Sequence, residues 1–341
     1  MKKVVTFGEI MARFTPVNHE KLFNSTMFSV CNGGAESNVS VFLAFNGIDT
    51  EFVSSVPDNE LGMMAIMNLN KYGVDTSKIN KKPGERMGTY YLQPGFSQRP
   101  SKVIYDRANS AFSNSNIGDY DWKEIFKDAE WFHFTGITPA LGENIVEITL
   151  EALKEAKKNN VKVSCDLNFR KNLWSEKRAN EVMTELMEYV DILFANEEDS
   201  ERVFGIKSEN SDVEKGTLKI EDYEFICNEL KRKFNFESVA ITMRESILAN
   251  INRWSAVCLY SEKFFVSDKY DIHIIDRVGG GDSFASGFIY GTLNEMNPED
   301  IVNFAVASSC LKHTIPGDFN VSTAGEVLAL KNGSGSGRIS R

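Results

Sequence analysis

Seven residues late in the chain, Asp276-Arg277-Val278-Gly279-Gly280-Gly281-Asp282, carry the sharpest chemical pattern of the sequence. Three successive glycines lead into a segment whose apolar positions Phe284, Ala285, Phe288, Ile289 and Leu293 repeat at helical spacing. Glycines let the backbone turn tightly and aim free N–H groups at one point, and a helix start adds partial positive charge there. Such a nest suits phosphate. Asp282 stands at the mouth of the same helix, where a carboxylate can take the proton of an attacking hydroxyl in phosphoryl transfer to an alcohol. An isolated Gly-Gly-Asp reads more simply as a helix N-cap after a flexible turn. The third glycine and Asp276 tip the reading toward chemistry.

Missing patterns narrow the class. No Gly-Lys-Ser/Thr follows the glycines, so this is not a Walker A loop, and the third glycine of a dinucleotide fingerprint is absent. The His-Arg-Asp and Asp-Phe-Gly motifs of protein kinases are missing too.

The elements that must hold these residues follow from alternation. Short β-branched runs at residues 3–8, 50–56, 130–135, 161–167 and 190–195 predict strands. Amphipathic stretches at 35–46, 60–72, 143–159 and 176–189 predict the helices between them. That rhythm implies βαβ units around a mainly parallel sheet with helices on both faces, and ligands at the carboxyl ends of the strands. Residues 11–17 with 27–31, and 88–93 with 102–107, interrupt the rhythm as extra strands. They read either as a small lid sheet over the strand ends or as an edge extension. Residues 237–243, 247–254, 255–260 and 264–267 predict mostly antiparallel strands, and 282–295, 298–313 and 322–331 predict helices. The organisation expected is one domain over 1–332, with lid strands from about 11–34 and 86–110, and a flexible Gly/Ser-rich tail at 333–341.

With 341 residues, 42% hydrophobic and 25% charged, the chain fits a soluble enzyme with a large core. Its formal net charge of −10 argues against nucleic acid or an anionic membrane as partner. An anionic substrate would need a local cationic pocket. The five cysteines form no Cys-x-x-Cys pair and read as reduced thiols, and the four histidines show no zinc spacing. His133, inside an apolar run, reads as a core histidine. Glu9 and Arg13 interrupt the N-terminal apolar stretch, no small-residue cleavage site follows, and no run is long enough to span a membrane. The compartment expected is the cytoplasm.

The motifs resemble those of PfkB-family (ribokinase-like) carbohydrate kinases, in order, from about residue 3 to 330. Asp276 to Asp282 resembles the C-terminal signature of that family, whose last aspartate is the catalytic base; the glycines Gly279, Gly280 and Gly281 would form the anion hole. Gly33-Gly34-Ala35-Glu36-Ser37-Asn38 is similar to its sugar-binding Gly-Gly-x-x-x-Asn. Asn196-Glu197-Glu198-Asp199 resembles its Asn-x-x-Glu motif, tied to magnesium and phosphate, with Asp199 in place of the glutamate. Thr242 and Arg244 lie where the family has Val-Thr-x-Gly beside the nucleotide, Arg244 replacing the glycine. Ala307 and Ser308 fall where small residues pack on adenine, a position equally suited to helix packing, and Gly317-Asp318 would close that pocket. Asn168 is also placed with the nucleotide by this resemblance.

Within the family the pattern is closest to 2-keto-3-deoxygluconate kinases. Gly33, Gly34, Asn38, Tyr90, Tyr105, Arg107 and Arg170 would contact the sugar acid, with both arginines at its acid end. Guanidinium forks bind carboxylates through paired, charge-assisted hydrogen bonds, which agrees with that placement. Taken singly, Arg107 is as well read as a solvated strand residue and Arg170 as a loop salt bridge. The resemblance implies a ribokinase-like α/β/α fold, ATP and Mg²⁺, a primary hydroxyl as acceptor, and a homodimer or higher assembly. A kinase of a neutral or related sugar (fructokinase, ribokinase, another deoxy-keto-acid kinase) remains open, as does a non-catalytic sugar or nucleotide sensor.

Overall fold

The apolar runs do form strands buried on both faces: Val4, Val5, Phe7, Phe132, Phe134, Val163 and Leu193 are all inaccessible to solvent. Continuous apolar strands of this kind require helices on both sides. The computed structural model, which describes residues 2–208 and 219–333, has them.

The chain begins with β1 (Lys3–Phe7), departs into the hairpin β2 (Met11–Pro16) and β3 (Phe28–Gly33), and returns through α1 (Ala35–Phe45) to β4 (Asp49–Pro57). After α2 (Glu60–Asn70) and the short β5 (Ile79–Lys82) comes a second hairpin, β6 (Thr89–Gln93) with β7 (Lys102–Asp106). Next are α3 (Trp122–Ile125), β8 (Ala129–Thr135), α4 (Glu143–Lys158), β9 (Lys162–Asp166), α5 (Glu176–Leu186) and β10 (Ile192–Asn196). Then follow α6 (Glu197–Phe204), α7 (Ile220–Phe234), β11 (Ser238–Leu248), β12 (Ile251–Tyr260), β13 (Lys263–Val266) and β14 (Tyr270–His273). The helices α8 (Gly280–Leu293), α9 (Pro298–Lys312) and α10 (Ala324–Lys331) end the described chain.

The main sheet has ten strands in the order β13-β12-β11-β10-β9-β8-β1-β4-β5, with β14 also on β12. Its pairs from β5 to β11 are parallel, and those of β12 are antiparallel. On one face Leu153, Val182, Leu186, Ile226 and Leu230 of α4, α5 and α7 pack on Phe132, Val163, Leu193 and Val239. On the other, Val39, Phe42, Phe284, Phe288 and Val306 of α1, α8 and α9 pack on Val4, Trp131, Ile192 and Phe194. His133 is a core residue: its Nδ1 lies 2.9 Å from the Ser164 hydroxyl, and burial lowers its pKa to about 3. No described helix is long and apolar enough to cross a membrane.

The extra strands make a separate four-stranded sheet, β3-β2-β6-β7. Met11, Tyr90 and Leu92 form its small core, and Val278, next to the glycine run, packs against them. The sheet therefore touches the phosphate-nest segment directly and is more than an edge of the main sheet.

Three expectations need correction. The stretches 247–254 and 255–260 are not two strands, because β12 runs unbroken through Trp254 and Ser255 after a turn at Ala249 and Asn250. The strand before them, expected to end at 243, runs on as β11 through the exposed Glu245 and Ser246 to Leu248. Second, α7 was not anticipated, although Tyr223, Ile226, Cys227 and Leu230 form a buried stripe at helical spacing. Its dense charge hid the stripe. Third, β5, α3, α6 and β14 were likewise missed, each only four to eight residues long. Of the tail expected at 333–341, residues 334–341 lie outside the described residues.

Candidate active site

Parallel strands place their carboxyl ends side by side. Thr135 of β8 is paired with Asp166 of β9, and Asn196 of β10 with Thr242 of β11. A cavity of about 410 Å³ opens at these ends. The small sheet contributes Tyr90, Tyr105 and, just past β7, Arg107; Gly33, Gly34 and Asn38 come from the junction of β3 and α1. The main sheet adds Asn168, Arg170, Asn196, Asp199, Thr242 and Arg244, and the glycine run adds Gly279, Gly280, Gly281 and Asp282.

Two expected residues are elsewhere. Ala307 and Ser308 are fully buried on α9 and do not line the cavity. Ser308 packs against Gly287 of α8 and accepts a 3.1 Å hydrogen bond from Asn320, so it serves close helix packing. Asp318 does line the cavity, but on the side of the small sheet, where it pairs with Arg13 and accepts a hydrogen bond from the Tyr90 hydroxyl. It closes a charged junction between the small sheet and the glycine run.

The nest is built as a helix start. Gly279 caps α8 at φ +83°, and a Cβ on it would lie 2.2 Å from the Asp318 carbonyl oxygen. The first-turn N–H groups of Gly281 and Asp282 have no acceptor among the described residues, as expected of free helix-start donors. The Asp282 carboxylate accepts a 2.6 Å hydrogen bond from Asn38 Nδ2, and Asn38 Oδ1 accepts from the Gly34 N–H at 3.4 Å. Gly34 is glycine because a Cβ there would sit 2.0 Å from the Glu9 carbonyl oxygen. Burial pushes the pKa of Asp282 up to about 7; the Asn38 hydrogen bond and the Arg170 charge oppose it, and the Glu36 and Asp318 carboxylates reinforce it. A carboxylic acid that titrates near neutrality is suited to general acid–base work.

The charged lining is two-signed. Arg107 is largely buried and grips Glu9, its Nε donating to Oε2 at 2.8 Å and its Nη2 to the same oxygen, while the Ser110 hydroxyl donates to Oε1. Arg170 is exposed and donates to the Phe169 carbonyl at 3.0 Å. A second pair, Arg244 and Arg277, also lines the cavity; Arg277 donates to the Ala249 carbonyl at 2.7 Å, and burial and the Arg244 charge lower its pKa. Burial, then the Asp199 and Asp282 carboxylates, push Asp166 well above the ordinary carboxylate range. The Asn196 side chain caps α6 by accepting from the Asp199 N–H at 2.8 Å.

No group of three or more His, Cys, Asp or Glu is arranged to hold a metal among the described residues. Magnesium in phosphoryl transfer needs no such cage: it keeps water and phosphate ligands and takes one or two carboxylates. Asp166 and Asp199 are of that kind; burial is the main cause of the raised Asp166, and the neighbouring carboxylates that add to it are what a cation relieves. The donor set fits.

Residues 1–322 match the profile of the pfkB family carbohydrate kinases. The chain belongs to this family. It is 30% identical over 335 residues, 98% of each chain, to a 2-dehydro-3-deoxygalactonokinase of Haloferax volcanii. The crystal structure of 2-dehydro-3-deoxygluconokinase from Thermotoga maritima is 49% identical, with a TM-score of 0.94 over 98% of this chain and 100% of that one. A putative ribokinase II from E. coli, in complex with ATP and Mg²⁺, shares the fold at 20% identity and a TM-score of 0.80, covering 97% and 99%. The fold is the ribokinase-like α/β fold and the protein is a carbohydrate kinase.

In this pfkB kinase, sequence reasoning passed over Glu9, Glu36, Asp166, Arg277 and the true setting of Asp318. Glu36 is fully buried and accepts from the Thr135 N–H (3.0 Å) and the Thr135 and Thr138 hydroxyls (2.7 and 2.8 Å). For Asp166 a signal existed: an acidic residue closing an apolar strand, at the end where ligands bind.

Proposed function

We propose that this kinase transfers the γ-phosphoryl group of ATP to the primary hydroxyl of a 2-keto-3-deoxy sugar acid, most directly 2-keto-3-deoxygluconate at its 6-position. The observation that carries the reading is Asp282, held by Asn38 beside two unpaired helix-start N–H groups, in a cavity that also contains Arg107 and Arg170. Similarity to enzymes named for 2-dehydro-3-deoxy sugar acids supports the acid class.

In the mechanism, Asp282 accepts the proton of the attacking hydroxyl. The N–H groups of the residue 279–281 loop and of Asp282 receive the charge that builds on the transferring phosphoryl oxygens. Gly33, Gly34 and Asn38 admit the sugar close to the backbone, Tyr90 and Tyr105 bound it from the small sheet, and Arg107 and Arg170 receive the carboxylate. Asn168, Thr242, Arg244 and Arg277 hold the nucleotide phosphates. Asp166, Asn196 and Asp199 would hold Mg²⁺ beside those phosphates, and its charge would supply neutralisation of the phosphate oxygens. The small sheet acts as a lid that excludes water, suppressing ATP hydrolysis. Its outer face leaves Phe28, Val30 and Ile104 exposed, an apolar surface suited to a second copy of the chain in a homodimer. ATP supply and free cysteines agree with a cytoplasmic location.

A neutral-sugar reading draws on one observation: Glu9 already occupies one side of the Arg107 fork. The Nη1 group of Arg107 has no acceptor among the described residues and is left for the substrate. A coupled ATPase assay over keto-sugar acids and neutral hexoses separates the two. Arg107→Ala is expected to raise KM for the sugar acid about 10- to 100-fold, the worth of a charge-assisted hydrogen bond, and to change fructose turnover far less. Equal losses on both substrates remove the acid assignment.

The pH dependence follows from the base. Asp282 works ionised, and its pKa stands at about 7, so kcat/KM is expected to fall tenfold per pH unit below about 7 and to level off above it. An acid limb near pH 4 instead would assign the titration to an ordinary exposed carboxylate.

A further inference from the structure

The small sheet and the phosphate nest meet at a charge cluster that the reaction chemistry above does not use. Arg13 on β2 is 2% exposed. Its Nη2 donates to Asp276 at 2.5 Å, its Nη1 to Asp318 at 2.7 Å and its Nε to the Thr15 hydroxyl at 2.8 Å. Each carboxylate reaches onward. Asp276 opens the glycine run and accepts from the Val278 N–H at 3.2 Å and the Gly317 N–H at 3.0 Å. Asp318 accepts from the Tyr90 hydroxyl, and its carboxylate and carbonyl press on Gly33 and Gly279, where added Cβ atoms would come within 1.9 and 2.2 Å. Beneath the loop lies Lys312, also fully buried, with its ammonium on the Ile315 carbonyl at 3.1 Å. Arg13 and Lys312 balance Asp276 and Asp318, so the junction is neutral overall.

We propose that Arg13 is a positioning residue for phosphoryl transfer, holding the residue 279–281 loop in register with the sugar-binding face of the lid through Asp276 and Asp318. One rigid fork contacts both carboxylates at once, and those carboxylates contact the glycine loop, the sugar-side glycine Gly33 and the lid tyrosine. A buried ion cluster adds little net stability over an apolar replacement, which leaves the registry of the elements it joins as the role for this one. The consequence is that lid and nest are set as one unit: distance between acceptor hydroxyl and phosphoryl group is fixed from behind the reacting atoms. The inference rests on the reading of Asp282 and the loop amides as the transfer machinery.

Arg13→Lys tests it, because an ammonium is a single point of charge and cannot span two carboxylates as a planar fork does. Assays use whichever sugar the unmodified enzyme turns over, so an error over the substrate leaves this test intact. A loop displaced by about 1 Å is expected to cost about 100-fold in kcat. KM for both substrates should stay within about threefold, since no side chain assigned to either substrate is changed. Asp276→Asn, which keeps shape and weakens one arm, should lower kcat about tenfold in the same pattern. Circular dichroism and thermal unfolding establish that each variant is folded; if the lysine variant is not, the asparagine variant decides alone. The proposal fails if a folded variant keeps the unmodified kcat, or if KM for the sugar rises while kcat holds, which would leave Arg13 shaping the sugar pocket only.

Discussion

Asp282→Asn is expected to lower kcat about a thousandfold, the usual worth of a positioned general base, while KM for ATP and sugar acid stays near that of the unmodified enzyme. The geometry allows so clean a substitution. Asparagine keeps an oxygen to accept from Asn38 Nδ2, whose 2.6 Å hydrogen bond now holds the carboxylate, and it leaves the helix start intact. Only the proton acceptor is lost. The same variant should be the more thermostable protein in the absence of ligands. The folded-state pKa of Asp282 is raised to about 7, so the native protein keeps its proton where the unfolded chain has released it. Its contribution is therefore fully present below the unfolded value near 4 and is lost as pH rises through about 7. The asparagine has no charge to bury. Its advantage should be absent near pH 3, grow between about 4 and 7, and reach on the order of 4 kcal/mol above that. Thermal unfolding at several pH values reads it directly. Turnover close to that of the unmodified enzyme would remove Asp282 from the base role, and a pH-independent difference in melting would remove the buried-charge explanation.

Gly279→Ala is expected to damage both catalysis and folding. The residue sits at φ +83°, where a side chain is strained, and its Cβ would lie 2.2 Å from a backbone oxygen of residue 318 that cannot swing away. The loop must shift, taking its amides out of line with the phosphoryl oxygens. Loss of one preorganised donor costs roughly 100- to 1,000-fold in kcat, and the strain about 1–3 kcal/mol of stability. Gly281→Ala is the control. An added Cβ there meets only the Asp166 carboxylate, at 3.9 Å, so the melting temperature should stay put while activity falls from the methyl intruding on the phosphate position. Equal thermal losses in the two variants would show that the loop is held by something other than the Asp318 carbonyl.

Much of this architecture was legible in the residues. The strands that carry Val4, Phe132, Val163 and Leu193 are buried on both faces and so read as plain apolar runs, and Gly279 to Asp282 announce a helix start by type and order. Local patterns report local structure well. What escaped was set by partners far along the chain. Arg13 is one arginine in a strand until Asp276 and Asp318 are beside it, 263 and 305 residues later. Glu9 gives no hint that it grips Arg107, 98 residues on. Ala307 and Ser308 show the converse ambiguity: small residues on a helix admit either an adenine ring or another helix, and only the fold shows that Ser308 packs against Gly287 of α8. The helix α7 had its stripe in plain sight, but an acidic start and a Lys-Arg-Lys end masked it.

The reach of these contacts bears on biosynthesis. Asn38 and Asp282 are separated by 244 residues, and Arg13 and Asp318 by 305, so the earliest part of the chain to leave the ribosome supplies half of a pocket whose other half is translated last. Parallel strands and helices of the first two hundred residues have local partners and can condense during translation. The Arg13 guanidinium has none of its countercharges until the stretch after β14 arrives, and leaving it solvated until then keeps the hairpin loose. Turnover is consequently a late report on completed folding: protein arrested before α8 can hold most of its secondary structure and still lack Asp282 and the glycine run.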